Sequence, residues 1–272
     1  MSTKERVDVL LVRQGYFETR EKAKAAVMAG LVYCGTERIE KPGTKMVTST
    51  DLTVKGAVHP YVSRGGLKLE KALREFSVSA EGKVVLDIGA STGGFTDCAL
   101  QHGARFVYAV DVGYNQLDWS LRNDERVAVM ERTNFRYLTI DDLKGASPEL
   151  AVIDVSFISL KLILPALKPL LTGKRTVIAL IKPQFEAGRE QVGKSGVVRD
   201  KRVHEQVLCE VLTFAADLGF SLIGLSFSPI TGGEGNIEFL TCWDIAESEG
   251  TLIAPDLHIV NRVVDDAHQI LL

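Results

Sequence analysis

The chain has 272 residues, enough for one large domain and a smaller one, because domains typically span roughly 100 to 200 residues. Hydrophobic residues make up 46% and charged residues 25%, a composition that excludes a disordered or fibrous protein and fits a globular one. The net charge of −3 argues weakly against a nucleic-acid partner, but residues 1–60 hold ten lysines and arginines against seven acidic residues.

The cysteines, histidines and apolar runs exclude further classes. No metal site or disulfide framework is predicted, because the four cysteines form no CxxC pair and the five histidines show no ligand spacing. No apolar run approaches the roughly 20 residues that span a bilayer, and the N-terminus has no signal-peptide core. A cytoplasmic protein without stable membrane association is therefore expected.

Residues 1–60 are predicted to form a small α+β domain. Apolar residues spaced for one helical face mark two helices: Val7, Leu10 and Leu11, then Ala23, Ala26 and Val27. Thr19 can cap the second helix, and Gly30 can end it in a left-handed conformation. Short strands with tight turns are predicted in LVYCGTERI, KPGTK and LTVKG.

Basic residues cluster in this segment and could neutralise phosphates along a nucleic-acid backbone. They lie on the predicted helices and turns: Arg13, Arg20, Lys22, Lys24, Arg38, Lys41 and Lys45. From charge alone, a solvated face without a partner explains them equally well.

The run RVDVLLVRQGYFETREKAKAAVMAGLVYCG, followed by the PGTK turn, resembles an S4 domain, a small RNA-binding module. The resemblance covers nearly all of residues 4–57. It implies that Arg20, Lys22 and Lys24 of the second helix face structured RNA, with Arg6 and Arg13 as further RNA-binding candidates. Such a module is expected to recognise RNA shape and backbone more than base sequence.

Strand and helix patterns alternate over residues 61–245 and predict a doubly wound α/β domain. Five near-continuous apolar strands favour a mostly parallel sheet that is buried on both faces: KVVLDI, RFVYAVD, VAVME, ELAVIDV and TVIALIK. SLIGLSF and NIEFLTCW should form an antiparallel pair at one end, which makes seven strands. Residues 246–272 are predicted to hold an acidic segment and an amphipathic helix from Asp256 that packs back on the domain. The predicted apolar face of this helix consists of Leu257, Val260, Val264, Ala267 and Leu271.

A glycine-rich turn follows the first of these strands, where open α/β sheets bind ligands. KVVLDI runs into GASTGGFTDCAL, in which Gly89, Gly93 and Gly94 allow a ligand close to the backbone before a helix that begins near Thr96. The order is not GxGxxG, which disfavours a dinucleotide. Asp111 ends the next strand, 22 residues after Gly89, where a carboxylate can accept both hydroxyls of a ribose. An adenosine-containing cofactor is therefore predicted.

The sequence DIGASTGGFT resembles the cofactor motif of class I methyltransferases, which are Rossmann-like, and in particular that of the FtsJ-like RNA group. The resemblance implies S-adenosylmethionine as cofactor. It implies these contacts to the methionine end: Asp87, Gly89, Ala90, Ser91, Gly93, Gly94 and Phe95. It places Asp111 on the ribose and Asn134, in RTNFR, beside the adenine. The family commonly has an acid near position 134, and an asparagine could equally cap the following turn.

Four polar residues are predicted to meet at the sheet edge that carries the glycine turn. Asp154 ends the fourth strand in AVIDVSF, and Lys182 ends the fifth in LIKPQFE. Lys68 lies in a helix before the first strand, and Glu238 starts the last strand. A lysine that ends an apolar strand is unusual, yet from spacing alone a surface ion pair or a solvated strand end explains each residue equally well.

Lys68, Asp154, Lys182 and Glu238 match in order the K-D-K-E catalytic tetrad of FtsJ-like 2′-O-methyltransferases. The surrounding SRGGLKL, DVSFISL, KPQFE and GNIEF are similar to the TlyA family, over nearly the entire chain. The resemblance implies methyl transfer to a cytidine 2′-hydroxyl of ribosomal RNA, free or in ribosomal subunits. Lys182 is the candidate general base, Lys68 and Glu238 would tune its charge and orient the ribose, and Asp154 would position the lysine and the methyl donor.

Charged segments near this edge are candidates for RNA contacts. EAGREQVGKSGVVRD, which follows Lys182, is predicted to be a flexible loop that closes over RNA, with a plain surface loop as the alternative. Arg64, Lys194 and Arg199 are phosphate-binding candidates on charge alone.

Three other hypotheses stay open. TlyA proteins are also called hemolysins, but the chain has no predicted membrane span and no strongly basic amphipathic helix. A small-molecule methyltransferase or a dehydrogenase is disfavoured by the S4-like segment and by the absence of GxGxxG. A non-catalytic RNA-binding factor is disfavoured because all four tetrad residues are present, and cofactor binding would distinguish it from an enzyme.

Overall fold

The computed structural model describes residues 4–17, 19–28, 30–54, 59–171, 175–245 and 256–272. The chain divides into two compact units, residues 1–64 and residues 65–272, and each has its own apolar core. The acidic segment predicted over residues 246–255 lies outside the described residues.

The first unit is an α+β fold of two helices and short strands. Its elements are β1 (Lys4–Arg6), α1 (Val7–Arg13), α2 (Arg20–Met28), β2 (Val32–Cys34), β3 (Glu37–Arg38), β4 (Lys45–Val47) and β5 (Thr53–Val54). The six apolar residues predicted to lie on helix faces are all buried. The predicted end of α2 is also found, because Gly30 has a φ of +72° and its N–H donates to the carbonyl of Val27. Strand β1, which pairs with β4, was not predicted, since three residues are too short for an alternating pattern.

The second unit begins with a helix and continues as alternating strands and helices. Its elements are α3 (Gly66–Glu75), β6 (Val84–Ile88), α4 (Gly94–Gln101), β7 (Phe106–Val110), α5 (Trp119–Arg122), β8 (Val127–Met130), β9 (Leu150–Ile153), α6 (Leu164–Leu167), β10 (Thr176–Ile181), α7 (Pro183–Glu186), α8 (Lys201–Asp217), β11 (Phe220–Phe227), β12 (Phe239–Ile245) and α9 (Leu257–Leu271). Helix α4 begins two residues before the predicted Thr96, because Gly93 turns the chain directly into it.

The seven-stranded sheet has the order β11-β12-β10-β9-β6-β7-β8. Strands β6 to β10 are parallel, and β12 is antiparallel to both β10 and β11. The chain winds outward from β6 through β7 to β8 and then crosses to β9 on the other side of β6. A doubly wound sheet of this kind binds ligands where the strand order reverses, outside the carboxyl ends of the strands. The predicted fold class is confirmed.

The C-terminal helix α9 packs on the second unit with the predicted face, except at its first residue. Its buried residues are Val260, Val263, Val264 and Ala267. Leu257, which was assigned to the buried face, is 60% exposed, because it opens the helix directly after the capping Asp256. Among the described helices, none is long and apolar enough to cross a membrane.

A pair of histidines joins α9 to the body of the second unit. His204 in α8 is fully buried, and its Nδ1 lies 2.9 Å from Nε2 of His268 in α9. The His204 ring also packs edge-on against Phe239 at the start of β12, with ring centroids 5.4 Å apart. Burial and then the charge of His268 lower the pKa of His204 from 6.5 to about 4.

Acidification should therefore weaken the second unit. In the unfolded chain the His204 side chain takes up its proton near pH 6.5, whereas in the folded protein it resists protonation down to about pH 4. Between these pH values the unfolded state binds more protons than the folded state. The free energy of unfolding should therefore drop by about 3 kcal/mol between about pH 6.5 and about pH 4. Above about pH 7 this side chain should contribute no pH dependence.

The measurement is urea unfolding of the full chain at several pH values, followed by tryptophan fluorescence. Both tryptophans, Trp119 and Trp243, lie in the second unit, so the signal reports that unit alone. The variant His204→Asn lacks the titrating group and should lose this part of the pH dependence. Identical pH profiles for wild type and variant would contradict the role given to His204.

Candidate active site

Four side chains from four elements meet at one edge of the sheet in the second unit. Lys68 lies in the first turn of α3, Asp154 follows β9, Lys182 follows β10, and Glu238 precedes β12. Because β12 runs antiparallel to β10, its amino end lies beside the carboxyl end of β10. The topology thus brings the predicted tetrad together.

The four charged groups of the tetrad form a closed set of ion pairs. Lys68 Nζ lies 2.6 Å from Glu238 Oε2 and 3.3 Å from Asp154 Oδ2. Lys182 Nζ lies 2.5 Å from Asp154 Oδ1 and 3.9 Å from Glu238 Oε1. Each carboxylate therefore bridges both lysines. Lys68, Lys182 and Glu238 are buried, so these charges are shielded from water and interact strongly.

Burial and neighbouring charges act in opposite directions on the pKa values of Lys68 and Asp154. Burial alone lowers the pKa of Lys68, but Asp154 and Glu238 outweigh burial and hold that pKa above its usual value. Burial alone raises the pKa of Asp154, but Lys68 and Lys182 outweigh it and hold that pKa below its usual value. Lys68 is therefore held as a cation and Asp154 as a carboxylate.

Local backbone features fix where the two strand-end residues stand. The Asp154 N–H donates to the carbonyl of Ile88 at 3.0 Å, so the hydrogen bonding between β6 and β9 extends to the residue that carries this carboxylate. Lys182 is followed by Pro183, which has no N–H to continue a strand and whose fixed φ suits the first residue of α7. Both side chains are therefore anchored to the rigid sheet.

Two residues that sequence reasoning missed stand next to the tetrad. Lys182 Nζ donates a hydrogen bond to Ser156 Oγ at 3.0 Å. Phe157 has a left-handed φ of 64° and is 91% exposed, with its ring centroid 5.0 Å from that of Phe185. Neither residue belongs to a helical or strand period, so no pattern marks them. A phenyl ring held out in solvent by a strained backbone is typical of a binding surface.

The loop between β6 and α4 depends on two glycines. Gly89 has a φ of +87°, and a Cβ there would lie 2.6 Å from the backbone oxygen of Asp154. Gly93 has a φ of +100°, and a Cβ there would collide with the side chain of Leu121. The loop therefore passes close to the tetrad and to α5, and only a residue without a Cβ fits at either point.

Asp87 is a buried polar residue near the end of β6, directly before this loop. It is fully buried in β6, and Oδ2 accepts a hydrogen bond from Thr96 Oγ1 at 2.6 Å. Oδ1 has no hydrogen-bond partner among the described residues. Burial, the largest cause, raises the pKa of Asp87 to about 7. Of the other predicted loop residues, Ser91 is exposed and the rest are buried: Ala90, Gly94 and Phe95.

Asp111 and Asn134 are the two residues predicted to contact the adenosine part of the cofactor. Asp111 Oδ2 accepts the N–H of Ser91 at 2.8 Å, and Oδ1 accepts the N–H of Gly113 at 2.6 Å. These bonds fix the carboxylate at the end of β7 and leave lone pairs for a ligand. Asn134 Oδ1 accepts the N–H of Arg136 and caps the 3₁₀ turn Phe135–Tyr137. The capping alternative for Asn134 is therefore what the structure shows, and its adenine contact stays a prediction.

The loop residues fit an adenosyl cofactor that carries a methionine group. The close approach of Gly89 to the backbone oxygen of Asp154 brings the loop backbone beside the tetrad. The unpartnered Asp87 Oδ1 gives the pocket a buried acceptor, and a buried polar atom of this kind is expected to find a partner in a bound ligand. The fixed Asp111 carboxylate suits a ribose, whose two hydroxyls are both donors.

Three of the basic residues predicted to bind RNA in the first unit pair with acids. Asp8 is buried and accepts hydrogen bonds from Arg6 Nε and Nη2 at 3.0 and 2.9 Å and from Arg20 Nε at 3.0 Å. These arginines, Arg6 first, hold the pKa of Asp8 below its usual value. Arg13 pairs with Glu5 at 2.9 Å. The remaining candidates of this unit are exposed: Lys22, Lys24 and Arg64.

The segment after Lys182 is more ordered at its end than the predicted flexible loop. Val197 and Val198 are buried. Asn236, in the turn before Glu238, donates to the carbonyl of Gly196 at 3.0 Å and accepts the N–H of Val198 at 3.1 Å. Lys194 and Arg199 are exposed beside these anchors. The segment is therefore tied to the strand that carries the tetrad glutamate, and its closure over RNA stays a prediction.

Two relatives with known names cover nearly the whole chain. A protein of Bacillus subtilis (strain 168), "Putative rRNA methyltransferase YqxC", is 61% identical over 272 residues, which cover 99% of this chain and 96% of that one. The "16S/23S rRNA (cytidine-2'-O)-methyltransferase TlyA" of Mycobacterium tuberculosis (strain CDC 1551 / Oshkosh) is 41% identical over 268 residues, which cover 98% and 99%. The resemblance to the TlyA family is confirmed.

A solved structure shows the same architecture along the chain. It is described as "Putative hemolysin from Streptococcus thermophilus", is 55% identical and superposes with a TM-score of 0.78 over 99% of this chain and 98% of that one. Residues 5–49 match the S4 domain, and residues 61–245 match the FtsJ-like methyltransferase family. The second match includes the glycine loop and all four tetrad residues, so the chain belongs to the FtsJ-like methyltransferases, whose methyl donor is S-adenosylmethionine.

Proposed function

We propose that this chain transfers a methyl group from S-adenosylmethionine to the 2′-hydroxyl of a ribose in ribosomal RNA, with a cytidine as the acceptor. The observation that carries the proposal is the assembled tetrad, with Lys182 Nζ 2.5 Å from Asp154 beside the glycine loop. Relatives at 61% and 41% identity are named as an rRNA methyltransferase and an rRNA cytidine-2'-O-methyltransferase, which supports the same substrate and acceptor.

The ribose hydroxyl is a weak nucleophile, so the site must align it and accept its proton. S-adenosylmethionine supplies the methyl group on a positively charged sulfur, which is already an activated donor. Lys182 accepts the hydroxyl proton, because Lys68 is held as a cation by Asp154 and Glu238. Asp154 keeps Lys182 in place through a 2.5 Å contact. The four ion-paired side chains of the tetrad would thus both align the ribose hydroxyl and remove its proton.

The proposed cofactor contacts follow the glycine loop. Asp87 and the backbone from Gly89 to Phe95 would hold the methionine end, and Asp111 would hold the ribose of the cofactor. Asp154 links the two parts of the site, because its backbone oxygen is the atom that Gly89 approaches and its side chain binds both lysines. The cofactor and the proton acceptor would therefore be positioned by the same strand end.

Phe157 supports a nucleotide as the acceptor. It lies three residues after Asp154 and one after Ser156, with its ring in solvent. An unstacked RNA base can stack on an exposed aromatic ring, which contributes about 1–3 kcal/mol per base by alanine substitution. Phe157 would thus hold the base while the ribose of the same nucleotide meets Lys182.

The first unit is proposed to dock the RNA, with residues 1–60 as the RNA-binding domain, residues 61–245 as the catalytic domain and residues 246–272 as a C-terminal segment. Arg6 and Arg20 are ordered by the buried Asp8, and each guanidinium has donors beyond those that Asp8 accepts. They could bind phosphates, together with Lys22 and Lys24. A ribosomal substrate would place the reaction in the cytoplasm.

The test is transfer of labelled methyl from S-adenosylmethionine to purified ribosomal subunits and to free ribosomal RNA, followed by alkaline hydrolysis. A 2′-O-methyl group blocks cleavage of the next phosphodiester bond, so the label should appear in alkali-resistant dinucleotides that begin with cytidine. Label in mononucleotides would show base methylation and contradict the ribose assignment. Absence of label in every ribosomal substrate, with cofactor bound, would contradict ribosomal RNA as the substrate.

The hemolysin hypothesis is tested with the same protein preparation, because a structural relative carries that description. Red-cell lysis should be absent under conditions in which the RNA is methylated. Lysis that persists after a catalytic substitution such as Lys182→Ala would instead show a second, membrane-directed activity.

A further inference from the structure

The tetrad does not account for all contacts of Lys182. Its Nζ donates to Ser156 Oγ at 3.0 Å, besides the contacts of 2.5 Å to Asp154 and 3.9 Å to Glu238. Ser156 is exposed whereas Lys182 is buried, so the serine stands on the open side of the lysine. The K-D-K-E motif contains no serine, and no family feature described above gives Ser156 a role.

The number of bonds on a lysine nitrogen limits how it can act as a base. A neutral amine has two N–H donors and one lone pair, whereas an ammonium has three donors and no lone pair. If Asp154 and Ser156 accept the two N–H groups of the neutral amine, its lone pair has one tetrahedral direction left. Without Ser156, the amine could rotate about its last side-chain bond while it stays in contact with Asp154.

The loop that carries Ser156 is itself fixed. Glu186 in α7 accepts Ser159 Oγ–H at 2.5 Å and the N–H of Leu160 at 2.7 Å. This ties the segment after Asp154 to the helix that begins directly after Lys182. The backbone that carries Ser156 is therefore tied to the segment that directly follows Lys182.

We propose that Ser156 is a positioning residue that directs the lone pair of Lys182 toward the ribose hydroxyl. This inference rests on the proposed function, since it concerns the same proton transfer. Ser156 acts through Lys182 and takes no proton from the RNA. A fixed lone pair matters because a misplacement of about 1 Å in a reacting group can cost about 100-fold in rate.

The test compares Ser156→Ala with Ser156→Thr, which keeps the hydroxyl, in the full chain with saturating S-adenosylmethionine. In Ser156→Ala, kcat for RNA methylation should fall about tenfold, with KM for RNA and cofactor affinity within about twofold of wild type. The pH of half-maximal kcat should also fall, because the ammonium form of Lys182 loses an acceptor. Ser156→Thr should recover most of kcat and the wild-type pH profile.

Ser159→Ala is the matched control, because it disturbs the same loop through Glu186 without touching Lys182. An equal drop in kcat with the same pH shift in Ser159→Ala would assign the effect to loop order and overturn the proposal. So would a wild-type rate in Ser156→Ala.

A second measurement does not depend on activity. Acetylation of Lys182 by acetic anhydride, followed by mass spectrometry against the exposed Lys201 as an internal reference, gives the pH at which its amine becomes reactive. This pH should be lower in Ser156→Ala than in wild type and restored in Ser156→Thr. If wild type methylates no ribosomal RNA but this shift is seen, only the proposed function fails; an unchanged profile overturns the role of Ser156 itself.

Discussion

Replacing Lys182 by alanine should lower the rate of methyl transfer by about 10² to 10⁴, the range that a positioned general base contributes. Lys182 is the proposed proton acceptor, whereas Lys68 is held as a cation by two carboxylates. Asp154 keeps its contact to Lys68 in the variant, so the buried carboxylate is not left without a cation. The chain should therefore still fold and bind S-adenosylmethionine.

The rate is best measured in a single turnover, with enzyme and cofactor in excess over RNA, so that product release does not mask the chemical step. Lys182→Arg separates charge from basicity, because a guanidinium keeps the positive charge but does not act as a base in proteins. It should be nearly as inactive as Lys182→Ala. Recovery of the rate in Lys182→Arg would show that the site needs a cation at this position and no proton acceptor. Lys201→Ala, at an exposed ion pair with Asp265, is the control for loss of a lysine elsewhere.

Replacing Gly89 by alanine should reduce the affinity for S-adenosylmethionine by about 100-fold or more. The new Cβ would lie 2.6 Å from the backbone oxygen of Asp154, and the φ of +87° is unfavourable for any residue with a side chain. The glycine loop and Asp154 must then move apart, which disturbs the cofactor pocket and the tetrad together. A combined cost of about 3 kcal/mol corresponds to a loss of this size.

Titration calorimetry with S-adenosylmethionine gives the affinity, and Gly82→Ala is the matched control. Gly82 also has a positive φ, of +67°, but a Cβ there would meet nothing within 4 Å. Gly82→Ala should destabilise the fold by about 1–2 kcal/mol through its backbone conformation alone and keep the wild-type affinity. Equal affinities for the two variants would show that the contact between Gly89 and Asp154 does not shape the pocket.

The sequence predicts the second unit well because its strands are buried on both faces. Such strands are almost continuously apolar, and the polar residues that end them stand out against that background, as Asp154 and Lys182 do. The edge strand β11 is only half-buried, yet its pairing with β12 followed from the short turn between them. The three-residue β1 gave no signal, because its pairing with β4 depends on tertiary contacts.

The site was predictable where chemistry is tied to a strand end and not where it is tied to a loop. Ser156 and Phe157 owe their positions to backbone angles after β9, which residue spacing does not encode. The role of Asp8 was missed for a related reason: it lies one residue after Val7 in α1, and its partners come from β1 and α2. The position of Leu257 was wrong because a periodic pattern does not tell whether the first helical residue reaches the core.

The histidine pair makes helix α9 part of the support for Glu238. Glu238 is followed by Phe239, whose ring packs on His204, and His204 bonds to His268 in α9. A premature stop codon shortly before Asp256 would remove none of the tetrad residues, yet it would strip this support from the strand that carries Glu238. Late nonsense mutations in the gene should therefore act as loss-of-function alleles.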